Sequence, residues 1–452
     1  MPRKTIFLLT TLLCGVAHAA TYYVAPPASG GSDSNPGTLS QPFATITKGV
    51  SMLSTGGDTL LVRAGTYAES VTVWHKYGTD ANAPITIQNY NGETAVIDGT
   101  GTSTNGVVVI DESSFVNFNG FEVKNGPAMG IDIWDADNIK IQWNTVHDCQ
   151  TNGISAGGDA LDQTHDITFD GNTVKFCVLS NSARTATSWQ QGLSAYKTKN
   201  VTFINNWVHD NYGEGIDYIV SDYGTIAHNT VYDNYSVDIY LDNARYTTVD
   251  ANFIPSGWSS SPSSYYRGGQ PACGICTANE YYSIQRPLTN LTISNNIVVH
   301  TKVGFGYGNY EYGGGLHYTT ISNNTFYHTT QTMLYIEDGA GGTHIHDTTY
   351  VQNNIFDAYT DQYSADAPTA GIGYDHNDWY GGLSGHTIPG SGDITSDPQL
   401  VNPSAESATT DYKLQSTSPC INAGATVTAV TKDYWATARP SGSAYDIGAH
   451  EY

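Results

Sequence analysis

Basic residues are scarce in this chain of 452 residues: Lys and Arg number 18 against 42 Asp and Glu, the formal charge is −24, and charged residues of both signs make up only 13%. Nucleic acid and anionic membrane surfaces are bound through basic patches that displace counterions, so neither is expected as a partner. Helix surfaces are ordinarily covered with Glu, Lys and Arg. A chain poor in these and rich in Gly, Tyr, Asn and Thr reads as strands and turns, which excludes a large helical protein. No long apolar run follows residue 20, so no membrane-spanning helix is expected there.

Cysteine is sparse too, with 6 in all. No second CxxC and no His pair at zinc spacing accompanies Cys273 and Cys276, which favours a local disulfide over half of a metal site. Cys14 lies in residues 1–20, where Arg3 and Lys4 precede an apolar run from Ile6 to Val16 and small residues stand at Ala17 and Ala19. This is the pattern of a secretory signal peptide, and it places the mature protein outside the cytoplasm, extracellular or periplasmic. Its removal leaves 16 basic residues against 42 acidic ones and an odd five cysteines, hence at least one free thiol.

What the chain has in abundance is repetition. GIDIWDADNIKIQWNTVHDC at 130–149, GLSAYKTKNVTFINNWVHDN at 192–211 and GIDYIVSDYGTIAHNTVYDN at 215–234 share one plan: an alternating strand, a polar turn, a second strand, then Asn before an apolar position. Asn144, Asn172, Asn206, Asn229, Asn252, Asn296, Asn324 and Asn354 mark successive units, and the spacing from Asn206 to Asn229 to Asn252 is 23 residues both times. Units this short cannot bury their own apolar faces, so they must stack. The fold read from this is all-β: a single-stranded right-handed parallel β-helix over 21–362, with insertions at 178–191 and 255–290 and a C-terminal capping segment at 363–452 that closes its open end. Stacking predicts an inward column Ile131, Ile154, Leu193, Ile216 and Ile239, an internal amide ladder of the marker asparagines, and Cys149 beside Cys177 as a disulfide or two packed thiols.

Two stretches carry a family resemblance. The opening TYYVAPPASGGSDSNPGTLSQPFATITKGVSML with GGDTLLVRAGTYAESVTV, and the closing SDPQLVNPSAES, DYKLQSTSPCINAGA and DIGAHEY, resemble secreted pectate-lyase-like β-helix proteins. The resemblance implies an enzyme active on polysaccharide: a calcium-dependent lyase of uronate polymers, a glycoside hydrolase or a uronan epimerase. The chain departs from the calcium pectate lyase pattern, having no tight Asp-Asp cluster followed two coils later by an isolated Lys.

Aligned on the marker Asn, one outward file reads Asp132, Ser155, Ser194, Asp217 and Tyr240, and a second Trp134, Gly157, Tyr196, Ile219 and Asp242. Acidic, aromatic and basic residues thus converge on the coils between 192 and 245, flanked by both insertions. For a lyase, Lys197 or Arg245 is the candidate base or carboxylate partner and Tyr240 the proton donor, with Glu214, Asp217, Asp238 and Asp242 as the carboxylates that would hold calcium. Trp134, Tyr196, Glu214 and Asp132 are candidate substrate contacts. Asp210 and Asp233, expected on adjacent coils, are candidate ligands with Asp238 for Ca2+, a hard cation that prefers oxygen. For a hydrolase, Asp217 and Asp242 or Glu214 supply the paired carboxyl groups. The expectation is a monomeric secreted enzyme, foremost a calcium-assisted β-elimination lyase of an acidic polysaccharide such as pectate. A glycoside hydrolase is the alternative, and a non-catalytic carbohydrate-binding adhesin the second alternative.

Overall fold

The computed structural model describes residues 19–187, 190–257, 267–282, 286–310, 314–340, 343–403 and 408–452; of the signal peptide expected over 1–20, residues 1–18 lie outside these. Each turn of the chain adds one strand to each of three parallel sheets, of 14, 11 and 12 strands, in which every third strand is a neighbour. This is the right-handed parallel β-helix that the repeat predicts. Among the described residues, no helix is long and apolar enough to cross a membrane.

Alternation decides what faces inward. The column Ile131, Ile154, Leu193, Ile216 and Ile239 is in register from strand to strand and wholly buried. The marker asparagines stack as expected, and the ladder runs one rung further, to Asn377. In each step from Asn144 to Asn377 the Nδ2 donates to the next Oδ1 at 2.9–3.1 Å. The same amides satisfy the backbone where the coil bends: Asn229 Nδ2 donates to Phe203 O, and its Oδ1 accepts from Asn206 N. The residue before a marker takes a left-handed conformation, as Asn205 (φ 58°) and Asn295 (φ 54°) do, a backbone region that Asn tolerates.

A helix over Ile46–Met52 covers the N-terminal rungs. Thr45 caps it by accepting from Lys48 N at 3.1 Å. Gly49 is required at the contact, because a Cβ there would meet Leu60 Cδ1 at 2.5 Å.

Three expectations are corrected. The coil continues past 362: strands Tyr363–Asp366, Ile372–Asp375 and Asp378–Gly381 still pair in the three sheets. The remaining tail does not simply close the open end. It folds back along the third sheet, where Leu400, Tyr412, Leu414 and Ile447 pack on Phe253, Ile297, Tyr327 and Ile355. The reason is that these sheet residues are apolar on the outward face and need cover. Segment 255–290 is not one insertion either, since Cys273–Asn279 is a full rung of the second sheet between two loops. Cys273 and Cys276 form a disulfide, whereas Cys149 and Cys177 are buried free thiols.

Candidate active site

The outward files of the second sheet form as expected. Asp132, Ser155, Ser194, Asp217 and Tyr240 are directly paired, and the file continues through Cys276, Gly306 and Tyr335. Beside it Trp134, Gly157, Tyr196, Ile219 and Asp242 are paired in the same way. Around Asp217 and Asp242 these files open into a cleft of about 600 Å³ lined also by Glu214, Tyr240, Glu280, Tyr282, Tyr307 and Tyr310. Small residues deepen its floor, since a Cβ at Gly306 would meet Cys276 Sγ at 2.7 Å.

Titratable groups in the cleft are mostly carboxyl groups: among the described residues Glu214, Asp217, Asp242 and Glu280 line it with one basic residue, Arg267. Asp217 is 1% exposed, and burial drives its acidity well down, reinforced by Glu214, Asp242 and Glu280, so its carboxyl is held protonated far above the ordinary range. No backbone, hydroxyl or amide donor reaches either oxygen of Asp217, so its contact with the Glu214 carboxyl is a hydrogen bond only when a proton lies between them. Asp242 is pushed up to about 8, first by burial and then by Glu280, against the opposing hydroxyl bond from Tyr282. The Tyr240 hydroxyl donates to Glu280 Oε1 at 2.5 Å, and burial also raises the Tyr240 phenol.

Glu280 and Tyr282 were not among the sequence candidates. They arrive on the loop that leaves the rung Cys273–Asn279, and no ladder position predicts where a loop lands. Their one sequence signal is the acidic-aromatic run Asn279, Glu280, Tyr281, Tyr282 directly after a strand.

Of the predicted substrate contacts, Glu214 lines the cleft, and Tyr196 stands at its edge with ring centroid 6.3 Å from that of Tyr282. Trp134 lies two rungs from Tyr196, and its ring leans over Gly157, where a Cβ would meet it at 3.0 Å. Asp132 stands three rungs from Asp217, outside the cleft, and burial with the Asp111 charge raises it to about 6.

The predicted basic residues are elsewhere. Lys197 turns to the surface, with Nζ on Asp159 O at 3.4 Å and over the Tyr196 ring. Arg245 is held by Asp222 through Nε at 2.9 Å and Nη2 at 2.7 Å, and Arg286 binds the same carboxylate. Neither lines the cleft, because the corner residue after each outward strand turns away onto the first sheet.

Of the predicted calcium ligands, Glu214, Asp217 and Asp242 line the cleft together, whereas Asp210, Asp233 and Asp238 do not line it. Asp210 and Asp233 do follow paired rungs, but Asp210 is bound to His209 Nδ1 at 2.6 Å and Asp233 accepts from Gly257 N at 2.7 Å. Asp238 points inward rather than into the cleft. It ends a second internal ladder in which Cys177 N donates to Asn211 Oδ1, Asn211 Nδ2 to Asn234 Oδ1, and Asn234 Nδ2 to Asp238 Oδ1. The next residue due in that ladder is Gly257, which has no side chain, and Asp238 supplies the missing acceptor from within its own coil. The signal was present: Gly153, Gly192, Gly215 and Gly274 occupy the equivalent positions, an interior file with little room. Among the described residues, no three His, Cys, Asp or Glu are grouped to hold a metal ion.

The fold is a right-handed parallel β-helix, and the chain is similar to pectate-lyase-like proteins of that fold. Two family models match, one described as Pel9A-like, right handed beta helix region, over residues 22–234, the other as right handed beta helix region, over 161–356. Pectate lyase PEL9 of Emericella nidulans is 28% identical over 173 residues, 35% of this chain and 41% of that protein. The uncharacterized protein YwoF of Bacillus subtilis is 44% identical over 77 residues, 17% of this chain and 15% of that one. The chain thus spans less than half the length of each of these relatives. Among solved structures, pectate lyase Pel9A superposes with a TM-score of 0.57 at 18% identity over 97% of both chains. XylC in complex with xylose gives 0.63 at 13% identity over 95% of this chain and 98% of that one. At these identities the superpositions speak for the fold alone.

Proposed function

We propose that the protein is a polysaccharide-degrading enzyme that hydrolyses glycosidic bonds of a neutral glycan in this cleft. The observation that carries the reading is the buried Asp217 among Glu214, Asp242 and Glu280. Hydrolysis needs a carboxylic acid to protonate the leaving oxygen and a second carboxyl group across the bond as base or nucleophile. Asp217 and Asp242, held protonated by burial and by their neighbours, are the acids. Glu280, the acceptor of the Tyr240 hydroxyl, and Glu214 provide the second carboxyl group. A uronate carboxylate would find one Arg among four carboxyl groups of the described lining, which is why a neutral sugar fits better. Tyr196 and Trp134 offer faces on which sugar rings stack.

A second reading, calcium-assisted β-elimination of a uronate polymer, is favoured by the 28% identity to pectate lyase PEL9. One assay separates the two. Xylan, galactomannan, pectate and alginate are incubated with the protein with and without a chelator, and reducing ends and the ultraviolet absorbance of unsaturated products are both followed. Hydrolysis predicts reducing ends from a neutral glycan, no absorbance and no chelator effect. Absorbance from pectate or alginate that the chelator abolishes would replace this reading with the lyase. Binding without either product would mark a non-catalytic adhesin.

A further inference from the structure

A second groove lies on a different face of the coil, on the outer surface of the first sheet, with a volume of about 350 Å³. Its floor is a file of four side chains on successive rungs, Asn117, Lys140, Thr168 and Thr202, in direct register. Pro84 and Phe115 bound one end and Tyr223 the other. Tyr223 is 49% exposed and is braced from behind by Tyr246, with ring centroids 4.9 Å apart at 11°.

The hydrogen-bonding capacity of this file is unspent. Neighbouring polar columns on the same sheet pair among themselves: Gln142 and Asn205 both donate to Asp170, and Asn200 donates to Asp166. Asn117, Lys140, Thr168 and Thr202 make no side-chain hydrogen bond within the protein among the described residues. An amide, an ammonium and two hydroxyls are therefore presented in a line, one per rung, at a spacing of about 4.8 Å. The lining carries one Lys and one Asp, with the Lys199 ammonium 5.7 Å from the Tyr223 ring centroid, so it lacks the carboxyl excess of the cleft on the second sheet.

A ligand for this groove is uncharged and linear, repeats its hydroxyls along its length, and has a ring face for an aromatic wall. We infer that the groove is a second, non-catalytic binding site for a stretch of neutral polysaccharide chain, separate from the cleft and independent of its chemistry. A groove of this kind would hold the protein on a polymer while the cleft engages another segment or another chain, raising the effective concentration of bonds to be cut.

Affinity electrophoresis tests this with the mature chain run through native gels cast with soluble xylan, galactomannan or hydroxyethylcellulose. Wild type is expected to be retarded in at least one gel. The triple variant Thr168→Ala, Thr202→Ala, Tyr223→Ala should lose about tenfold in affinity for that polymer, the scale of one lost stacking contact and a few hydrogen bonds. Thr202→Arg, which fills the groove without removing a packed ring, should do the same, whereas Tyr350→Ala, an exposed ring elsewhere on this sheet, should not. Release of reducing ends from short oligosaccharides should stay at the wild-type rate in all three, so loss of the groove and failure of the hydrolase reading are told apart. Unchanged retardation of both groove variants, or a wild type that no neutral polymer retards, would overturn the inference.

Discussion

Two groups of buried polar side chains in this molecule are built on opposite terms. At one corner the marker asparagines from Asn144 to Asn354 spend each amide twice, on the next Asn and on a backbone carbonyl. On the second sheet Asp217 and Asp242 are as deeply buried, yet Asp217 has no donor but a neighbouring carboxyl, and Asp242 Oδ1 has none. The same stacking produces both, so what differs is whether the buried groups complete one another. A satisfied group stabilises the coil. An unsatisfied one costs stability and holds protons that chemistry can use, which is how catalytic sites commonly differ from their scaffolds.

The widest break in this comparison comes from swapping what each group holds. Asp217→Asn keeps shape and neutrality but cannot give up a proton, so activity should fall by about 10³-fold while the protein stays folded, as read by kcat/KM beside a thermal melt. Full activity in this variant would remove Asp217 from the chemistry. Asn229→Ala deletes a ladder rung that makes hydrogen bonds with Asn206, Asn252 and the Phe203 carbonyl. Urea unfolding should show a loss of about 3 kcal/mol, with activity per folded molecule unchanged. If the loss is under about 1 kcal/mol, the ladder is no stabilising column.

Acidity sharpens the contrast further. Asp242 sits near 8 in the folded chain against 3.8 for an ordinary Asp, so between these values the folded state binds more protons than the unfolded one. Its contribution is therefore fully present below about pH 4, falls as pH rises through about 8, and declines by at most about 1.4 kcal/mol per pH unit. Asp242→Asn should flatten that decline, and its stability relative to wild type should climb from pH 5 to pH 9 in denaturant titrations. A constant difference would show that Asp242 is not buried as a neutral acid. The smallest effect is expected at the cleft's approach: Trp134→Ala should raise KM for long glycans about fivefold and leave short ones unaffected. Equal effects on both lengths would place Trp134 outside the path of the polymer.

Much of this architecture is legible one residue at a time because a coil converts sequence period into contact. The interval from Asn206 to Asn229 to Asn252 is enough to pair Ile216 with Ile239 and to set Asp217 beside Tyr240. The carboxyl pair at the heart of the cleft was reached by that route. Where the period lapses, so does the reading. Glu280 and Tyr282 come from a loop of no fixed length, and Arg245 was drawn toward the cleft by sequence proximity to Asp242 although Asp222 and Arg286 hold it on another face.

By itself the sequence determined the rungs: the parallel stack, the inward and outward files, the amide ladder and the disulfide between Cys273 and Cys276. These follow from local alternation and a repeat that returns equivalent residues to one another. Only the tertiary structure decided which carboxyl groups share the cleft, that Asp238 caps an interior ladder, that the two remaining paired cysteines stay thiols, and that the tail lies along the third sheet. Each of these depends on how segments of irregular length fold back onto the coil, and on which buried group finds a partner there, quantities that no repeat encodes.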